Sequence, residues 1–297
     1  MKRLLPLLAL LCLLPAGADE VTLAHGGLTL NANLEKTASW PAGPVVLIVH
    51  GTLAHNGMEL IAGLQPLLAA KGLSSLAINL GLGVDNRHGM VDCAMPHRHR
   101  HVDAVAEIGA WVDWLKQQGT KQVVLLGHSR GGNQAAWFAA DHDDPVLRAA
   151  VLAAPPTWTA AEAAQGYEKR FGKPLAPTLE KAQSLVAAGK GDTLMEQVDF
   201  VYCANTAATA AAFVGYYAPD ERFDTPTLLP RINAPVLVVA AGGDELVKDL
   251  PARAAPRVDG KKARLVTIDG ADHFFRDLYA EDLVEAIATF VATEVKP

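Results

Sequence analysis

Residues 122–132 read QVVLLGHSRGG, and this stretch is the most informative one in the chain. An apolar run ends in a Gly-x-Ser-x-Gly pattern, and an alanine-rich helical pattern follows over residues 133–140. In such a strand–turn–helix unit, Gly127 and Gly131 leave room for a tight turn that holds the serine in a strained conformation. The hydroxyl then stands clear of the sheet, at a helix N-terminus whose dipole favours negative charge. The pattern predicts that Ser129 is a nucleophile. The alternative is a glycine-rich turn in which the serine has no catalytic role.

Apolar runs alternate with helical patterns along most of the chain. Two short strands, 21–23 and 28–34, are predicted to pair antiparallel around Gly26-Gly27. The later predicted strands lie at 44–51, 75–80, 122–126, 147–153, 235–240 and 263–268, and predicted helices lie at 58–71, 101–118, 133–140 and 280–295. Alternation of this kind implies right-handed crossovers and a sheet covered on both faces. We therefore expect an α/β fold with a mostly parallel sheet flanked by helices.

The alternation breaks from about residue 156 to residue 230. Alanine-rich segments at 160–170, 178–189 and 193–212 are separated there by glycine and proline, and all three are predicted to be helical. We interpret this region as a helical cap inserted into the α/β domain. A cap above a catalytic site shapes substrate specificity.

An acid and a base follow two of the later predicted strands. Asp244 comes just after the strand at 236–240, and His273 comes just after the strand at 264–268. In a parallel sheet both loops emerge at the edge that also carries the Ser129 turn. A serine hydroxyl needs a base to take its proton, and the base needs an orienting acid. We expect Ser129, His273 and Asp244 to act together, with Glu245 and Asp249 left open as alternatives to Asp244.

With these motifs the chain resembles the α/β-hydrolase superfamily, in particular its exported, esterase- or lipase-like serine hydrolases. The resemblance covers nearly all of residues 19–297, which we expect to form one α/β-hydrolase domain. It implies an oxyanion hole formed by the backbone amide of Arg130 and by that of Thr52 or Leu53, in the turn after His50-Gly51. It also implies hydrolysis of a small carboxylic ester without a cofactor. An amidase or peptidase with the same triad and a non-catalytic binding protein of this fold remain alternatives.

The first eighteen residues have the pattern of a signal peptide. Lys2 and Arg3 precede an apolar core at 4–14, and small residues at 15–18 predict cleavage near Ala18. Loss of the two cations changes the formal charge from −6 to −8, which argues against nucleic acid and anionic membrane as partners. No later apolar run approaches the length of a membrane span. We expect a periplasmic or secreted bacterial protein.

Two cysteines, Cys93 and Cys203, remain after the predicted cleavage. In an oxidising compartment they can pair, and the pair closes a loop worth roughly 4–5 kcal/mol in the chain-entropy model. We expect this disulfide, with two separate buried thiols as the alternative.

Residues 97–101 read HRHRH, an alternation that places three histidines on one side of an extended chain. A metal site built from His97, His99 and His101 is conceivable, but we favour a loop that packs around the disulfide, and we expect no metal. The cations in and near this loop suggest an anionic substrate. The residues expected to face the cleft on this hypothesis are Arg87, Arg98, Arg100 and Arg130. Substrate contacts are also predicted for Leu53 and for His128, which flanks the nucleophile.

Overall fold

Ten β-strands and nine α-helices form within residues 18–296, the part of the chain that the computed structural model describes. The strands are β1 (Asp19–His25), β2 (Leu28–Glu35), β3 (Val45–Val49), β4 (Ser74–Asn79), β5 (Val123–His128), β6 (Leu147–Ala153), β7 (Leu194–Phe200), β8 (Cys203–Thr209), β9 (Val236–Ala241) and β10 (Ala263–Ile268). The helices are α1 (Glu59–Ala70), α2 (Asp103–Gln117), α3 (Arg130–Asp141), α4 (Ala160–Phe171), α5 (Ala176–Ala187), α6 (Ala210–Tyr217), α7 (Thr225–Leu228), α8 (Leu250–Ala254) and α9 (Tyr279–Glu294). The predicted signal peptide lies outside the described residues, apart from Ala18.

Eight strands form one sheet in the order β1-β2-β4-β3-β5-β6-β9-β10. The pairs β1–β2 and β2–β4 are antiparallel, and the six strands from β4 to β10 run parallel. The sequence prediction of a mostly parallel sheet is therefore confirmed. The carboxyl ends of the six parallel strands share one edge, from which the loops that carry Ser129, Asp244 and His273 begin.

Both faces of the sheet are buried at its central strands β3, β4 and β5. In β3, Val45 and Leu47 belong to one apolar cluster and Val46 and Ile48 to the other, as the two-residue period of a strand requires. Apolar side chains of α2 and α3 cover the first face, and those of α1 and α9 cover the second. Each fully buried aliphatic side chain contributes about 1.5–3 kcal/mol. The core therefore holds the site loops on a rigid base.

The segment between β6 and β9, residues 154–235, is the insertion that the sequence predicts. The helices at 160–170 and 178–189 are present as α4 and α5. The predicted helix at 193–212 is wrong, because most of it forms the antiparallel hairpin β7–β8. The hairpin carries β-branched and aromatic residues such as Val198 and Phe200, which suit strands despite the neighbouring alanines. The insertion is thus a helical cap with a β-hairpin.

No helix among the described residues is long and apolar enough to cross a membrane.

Candidate active site

The turn between β5 and α3 presents Ser129 in a strained conformation. Its φ is 54° and its ψ is −128°, values that a non-glycine residue rarely adopts. A Cβ at Gly127 would overlap the Gly131 carbonyl, and one at Gly131 would overlap the His50 carbonyl. The turn can therefore close only with glycine at both positions. Strain of this kind costs on the order of 1–3 kcal/mol and concentrates at functional sites.

A chain of hydrogen bonds joins Ser129 to the loops after β9 and β10. The Ser129 Oγ lies 2.9 Å from His273 Nε2, and His273 Nδ1 lies 2.7 Å from Asp244 Oδ2. Both His273 and Asp244 are buried. Because the Nδ1–H group donates its hydrogen bond to the carboxylate, the proton of the neutral imidazole stays on Nδ1, and Nε2 is free to accept the serine hydroxyl proton. The three side chains have the relative geometry of a nucleophile, a base and an orienting acid.

The second oxygen of Asp244 is held by the backbone. Its Oδ1 accepts hydrogen bonds from the amides of Leu246, at 2.7 Å, and Val247, at 3.0 Å. Burial raises the pKa of Asp244, but the hydrogen bonds from His273 and these amides outweigh it and hold the pKa below its ordinary value. The carboxyl is therefore ionised at neutral pH and fixed in direction.

The alternative acids lie elsewhere. Asp249 accepts a hydrogen bond from the Thr157 hydroxyl at 2.8 Å, and Glu245 is exposed. Asp272, next to the histidine, accepts hydrogen bonds from the amides of Phe274 and Arg276 and so shapes the turn. Of these acids, only Asp244 contacts His273.

The turn after β3 lies beside the Ser129 turn, since the Gly131 position abuts the backbone of His50. His50 is buried; its Nδ1 donates to the Gly51 carbonyl at 2.9 Å, and its Nε2 accepts from the Leu80 amide at 3.1 Å. Burial, helped by the positive charge of Arg87, lowers the pKa of His50 to about 3. His50 is therefore a neutral support beneath the turn.

Three backbone amides near Ser129 are available to a ligand. Within the described residues, the amides of Thr52, Leu53 and Arg130 donate no hydrogen bond to the protein. Leu53 has a φ of 52°, and its side chain turns into the core. Both Thr52 and Leu53 therefore remain able to pair with Arg130 as amide donors, but the predicted substrate contact of the Leu53 side chain is corrected: it packs in the core.

The side chain of Arg130 ties the two turns together, a role that the sequence did not reveal. Its Nε donates to the Thr52 hydroxyl at 2.9 Å, and its Nη1 lies 3.2 Å from His101 Nδ1. The guanidinium also lies over the Tyr216 ring, 5.2 Å from its centre. His101 is buried and contacts Asn133 through Nε2, and burial holds its pKa well below the ordinary value. Arg130 therefore bonds to a neutral imidazole.

Two cavities lie between the sheet edge and the insertion. One, of about 380 Å³, is lined by Ser129, His273 and His128 from the core and by Arg170 and Tyr202 from the insertion. The other, of about 260 Å³, is lined by Arg130 together with Arg170, Tyr202 and further aromatic side chains. Arg170 and Tyr202 belong to both linings, so the second cavity adjoins the one that holds the nucleophile.

His128 lines the first cavity. Its Nε2 donates to the His273 carbonyl at 2.8 Å, and burial lowers its pKa to about 4. It is thus a neutral wall residue that also fixes the backbone of the base.

Three of the predicted substrate-facing arginines lie elsewhere, and that prediction is corrected. Arg98 is exposed and lines neither cavity. Arg100 is exposed and pairs with the Asp103 carboxylate, with Nη2 at 2.7 Å from Oδ1, at the start of α2. Arg87 is buried and donates to the Leu80 carbonyl and to Asn79. Of the four arginines proposed, Arg130 alone reaches the cleft.

The histidine run packs against the hairpin. His97 pairs with β8, since its amide donates to the Ala207 carbonyl at 2.8 Å and its carbonyl accepts from the Thr209 amide at 2.9 Å. Cys93 and Cys203 form a disulfide across 110 residues, which fixes the start of this loop to the hairpin. No group of three or more histidine, cysteine or acidic side chains within residues 18–296 is arranged to hold a metal ion.

Comparison with known proteins gives one family match and many structural relatives. The model of the alpha/beta hydrolase family matches residues 45–286. Est1E from Butyrivibrio proteoclasticus is 20% identical, with a TM-score of 0.64 over 94% of this chain and 99% of that chain. An esterase from Pyrococcus furiosus is 16% identical, with a TM-score of 0.63 over 94% and 91% of the two chains. A monoacylglycerol lipase from Paleococcus ferrophilus is 19% identical, with a TM-score of 0.61 over 89% and 99%. No curated protein sequence matches the chain.

Proposed function

This chain belongs to the alpha/beta hydrolase family, and we propose that it is a serine hydrolase that cleaves a carboxylic ester or a related acyl bond. The proposal is carried by the hydrogen bonds that join Ser129, His273 and Asp244. In the proposed assignment Ser129 is the nucleophile, His273 the general base and Asp244 the orienting acid.

Acylation begins when His273 Nε2 takes the hydroxyl proton as Ser129 Oγ attacks the acyl carbon. Negative charge develops on the acyl oxygen, and the amides of Arg130 and of Thr52 or Leu53 donate hydrogen bonds to it. Removal of one such donor typically costs about 3–4 kcal/mol of transition-state stabilisation. Asp244 stabilises the imidazolium that forms. His273 then protonates the departing alcohol.

Deacylation repeats these steps with water. His273 takes a proton from the water molecule, which attacks the acyl carbon, and Ser129 leaves with the proton returned by His273. These residues and amides complete the cycle without a cofactor.

Hydrolysis of para-nitrophenyl esters from acetate to palmitate tests the proposal. We expect turnover by the protein lacking residues 1–18, loss of turnover in Ser129→Ala, and retention in Ser184→Ala, which removes an exposed serine of α5. The chain-length optimum would give the size of the acyl pocket. Turnover of anilides with no turnover of esters would favour the amidase alternative. Turnover that persists in Ser129→Ala would overturn the assignment of the nucleophile.

We also propose that the protein is exported and cleaved near Ala18. The disulfide between Cys93 and Cys203 supports this proposal, because such bonds persist in oxidising compartments. The intact mass of protein recovered from the periplasm or medium of the expressing bacterium is expected to match residues 19–297 with one disulfide. Recovery of the full-length chain from the cytoplasm alone would contradict export.

A further inference from the structure

We infer that the preferred ester carries a negative charge on an aromatic ring, and that Arg130 and Arg170 bind this anion between the core and the insertion. The inference rests on the proposed function and names its substrate class. The side chains of Arg130 and Arg170 line the cavities, and neither takes part in the catalytic steps described above.

Arg130 has unused hydrogen-bond donors. A guanidinium carries five N–H groups. Arg130 donates one to the Thr52 hydroxyl and one to His101. Within residues 18–296, no carboxylate forms an ion pair with Arg130. Its contacts nevertheless fix the direction of the group, because Tyr216 supports one face of the guanidinium. Arg130 is therefore a preorganised cation with free donors in the cavity that adjoins the nucleophile's.

Arg170 supplies a second cation from the opposite wall. It lies on α4 with its guanidinium 4.6 Å from the centre of the Tyr202 ring. Among the described residues it has neither an ion pair nor a side-chain hydrogen bond. Because Arg170 lines both cavities, a ligand that holds its anion near Arg170 can extend to Ser129.

The remaining walls are apolar or neutral. Neither cavity lining includes an aspartate or a glutamate, and the lining histidine next to Arg130, His101, is neutral. Aromatic side chains supply much of the smaller cavity, namely Trp158, Tyr167, Phe171, Tyr202, Tyr216, Tyr217 and Phe223. Flat aromatic walls favour a flat ring, and unpaired guanidinium groups favour a carboxylate.

The amide of Asn133 does not compete for this role, although it lines the same cavity. Its Nδ2 donates to the Arg222 and Phe223 carbonyls and lies 3.1 Å from the Thr225 hydroxyl, and its Oδ1 accepts from His101. With Asn133 already satisfied, the two arginines are the positively charged donors that this lining offers to an anionic ligand.

Matched substrate pairs test the inference. Monoethyl terephthalate is compared with ethyl para-carbamoylbenzoate, which replaces the carboxylate by a neutral amide of the same shape. The second pair, para-acetoxybenzoate and para-acetoxybenzamide, places the ring and charge on the leaving alcohol. We expect kcat/KM to favour the carboxylate by about tenfold or more in at least one pair. The preference should shrink as salt is raised, because ions screen the attraction.

Variants identify the residues responsible. Arg170→Gln and Arg130→Gln are each expected to lower the carboxylate-to-amide ratio about tenfold, and Arg170→Glu is expected to reverse the preference. The ratio cancels any change common to both substrates, such as a disturbed turn at Thr52. Arg98→Gln is the matched control, because this exposed arginine lies outside both cavities.

Two results would overturn the inference while leaving the proposed function intact. The first is equal kcat/KM within both pairs from a protein that cleaves para-nitrophenyl acetate through Ser129. The second is a preference for the carboxylate that survives both glutamine variants. Equal turnover of monoethyl adipate and monoethyl terephthalate would overturn the aromatic part of the assignment, since adipate carries the charge without the ring.

Discussion

At Asp244 the two carboxylate oxygens have different partners, and this division makes the residue sensitive to a conservative change. Oδ2 faces the protonated Nδ1 of His273, while Oδ1 accepts from two backbone amides. Asparagine would preserve the shape of the side chain, but its NH₂ group would replace one of these two acceptors. It would therefore point a donor at either the Nδ1–H group of His273 or the backbone amides. The base would then adopt the wrong tautomer.

We therefore predict that Asp244→Asn lowers kcat for a para-nitrophenyl ester by about 10⁴-fold, with KM changed far less. Steady-state kinetics measure this, and Glu245→Gln is the control, because the neighbouring carboxylate is exposed. If the Glu245 variant lost as much kcat as the Asp244 variant, the assignment of Asp244 as the orienting acid would be contradicted.

The sequence predicts a residue's position better than the direction of its side chain. Ser129, Asp244 and His273 could be placed at one sheet edge because each follows a parallel strand. In residues 97–101 the alternation correctly separates three histidines from two arginines, and the histidines are the buried set. Which of the two sets is buried depends on the pairing of this segment with β8. The sequence did not predict that pairing, because residues 193–212 were expected to be helical. Arg170 could not be identified at all, because its role depends on how α4 crosses the cleft.

Among the secondary structure elements, the junction of β5 and α3 tolerates the least change. A Cβ at Gly131 would meet the backbone of His50 and of Val49, which are parts of a buried strand and its turn. Backbone atoms cannot rotate away as a flexible side chain can. Helix α3 and the end of β3 must therefore separate to make room for the Cβ.

We predict that Gly131→Ala lowers the free energy of unfolding by about 3 kcal/mol and impairs turnover. Gly63→Ala is the matched control, since a Cβ there meets nothing within 4 Å, and alanine inside α1 should stabilise the protein by up to about 1 kcal/mol. Urea unfolding measures both changes. Equal stability of the two variants would contradict the close packing of the start of α3 against the end of β3.

The β7–β8 hairpin marks the limit of sequence-based prediction for the elements. Alanines within 193–212 suggested a helix, but tertiary contacts decide the conformation of this segment. The disulfide fixes Cys203 to the loop at Cys93, and His97 pairs with the outer edge of β8. Neither contact is visible in a local pattern, because the partners are about a hundred residues away.

We predict that replacing both cysteines by alanine lowers the free energy of unfolding by about 4 kcal/mol, since the bridge closes a loop of 110 residues in the unfolded chain. Urea unfolding with and without reductant measures the effect. The wild type should lose the same amount on reduction, and the double variant should not respond to reductant. If reductant still lowered the free energy of unfolding of the double variant, the effect of reductant on the wild type could not be attributed to this disulfide.

Across the whole molecule, buried histidines make stability depend on pH. Burial lowers the pKa of His50 and of His99 to about 3, and that of His128 to about 4. Each takes up a proton on unfolding below pH 6.5, so stability falls as the pH falls. Glu107 acts in the opposite direction, because burial raises its pKa to about 7 and the folded state holds the extra proton.

The net effect of these four groups should be a loss of about 2 kcal/mol in unfolding free energy per pH unit between pH 6 and pH 5. Urea unfolding curves at pH 7, 6 and 5 measure this loss directly. A free energy of unfolding that stays constant from pH 7 to pH 5 would mean that these histidines become protonated within the folded protein.

Turnover in the proposed mechanism depends on one atom, the Ser129 Oγ, which is activated by its hydrogen bond to His273. The most direct test is reaction with a fluorophosphonate, followed by intact mass and peptide mapping, for wild type, Ser129→Ala, His273→Gln and Ser184→Ala. We predict a single adduct on Ser129 in the wild type and in Ser184→Ala, no adduct in Ser129→Ala, and labelling at least about 10³-fold slower in His273→Gln. An unlabelled wild-type protein, or an adduct that remains in Ser129→Ala, would contradict the claim.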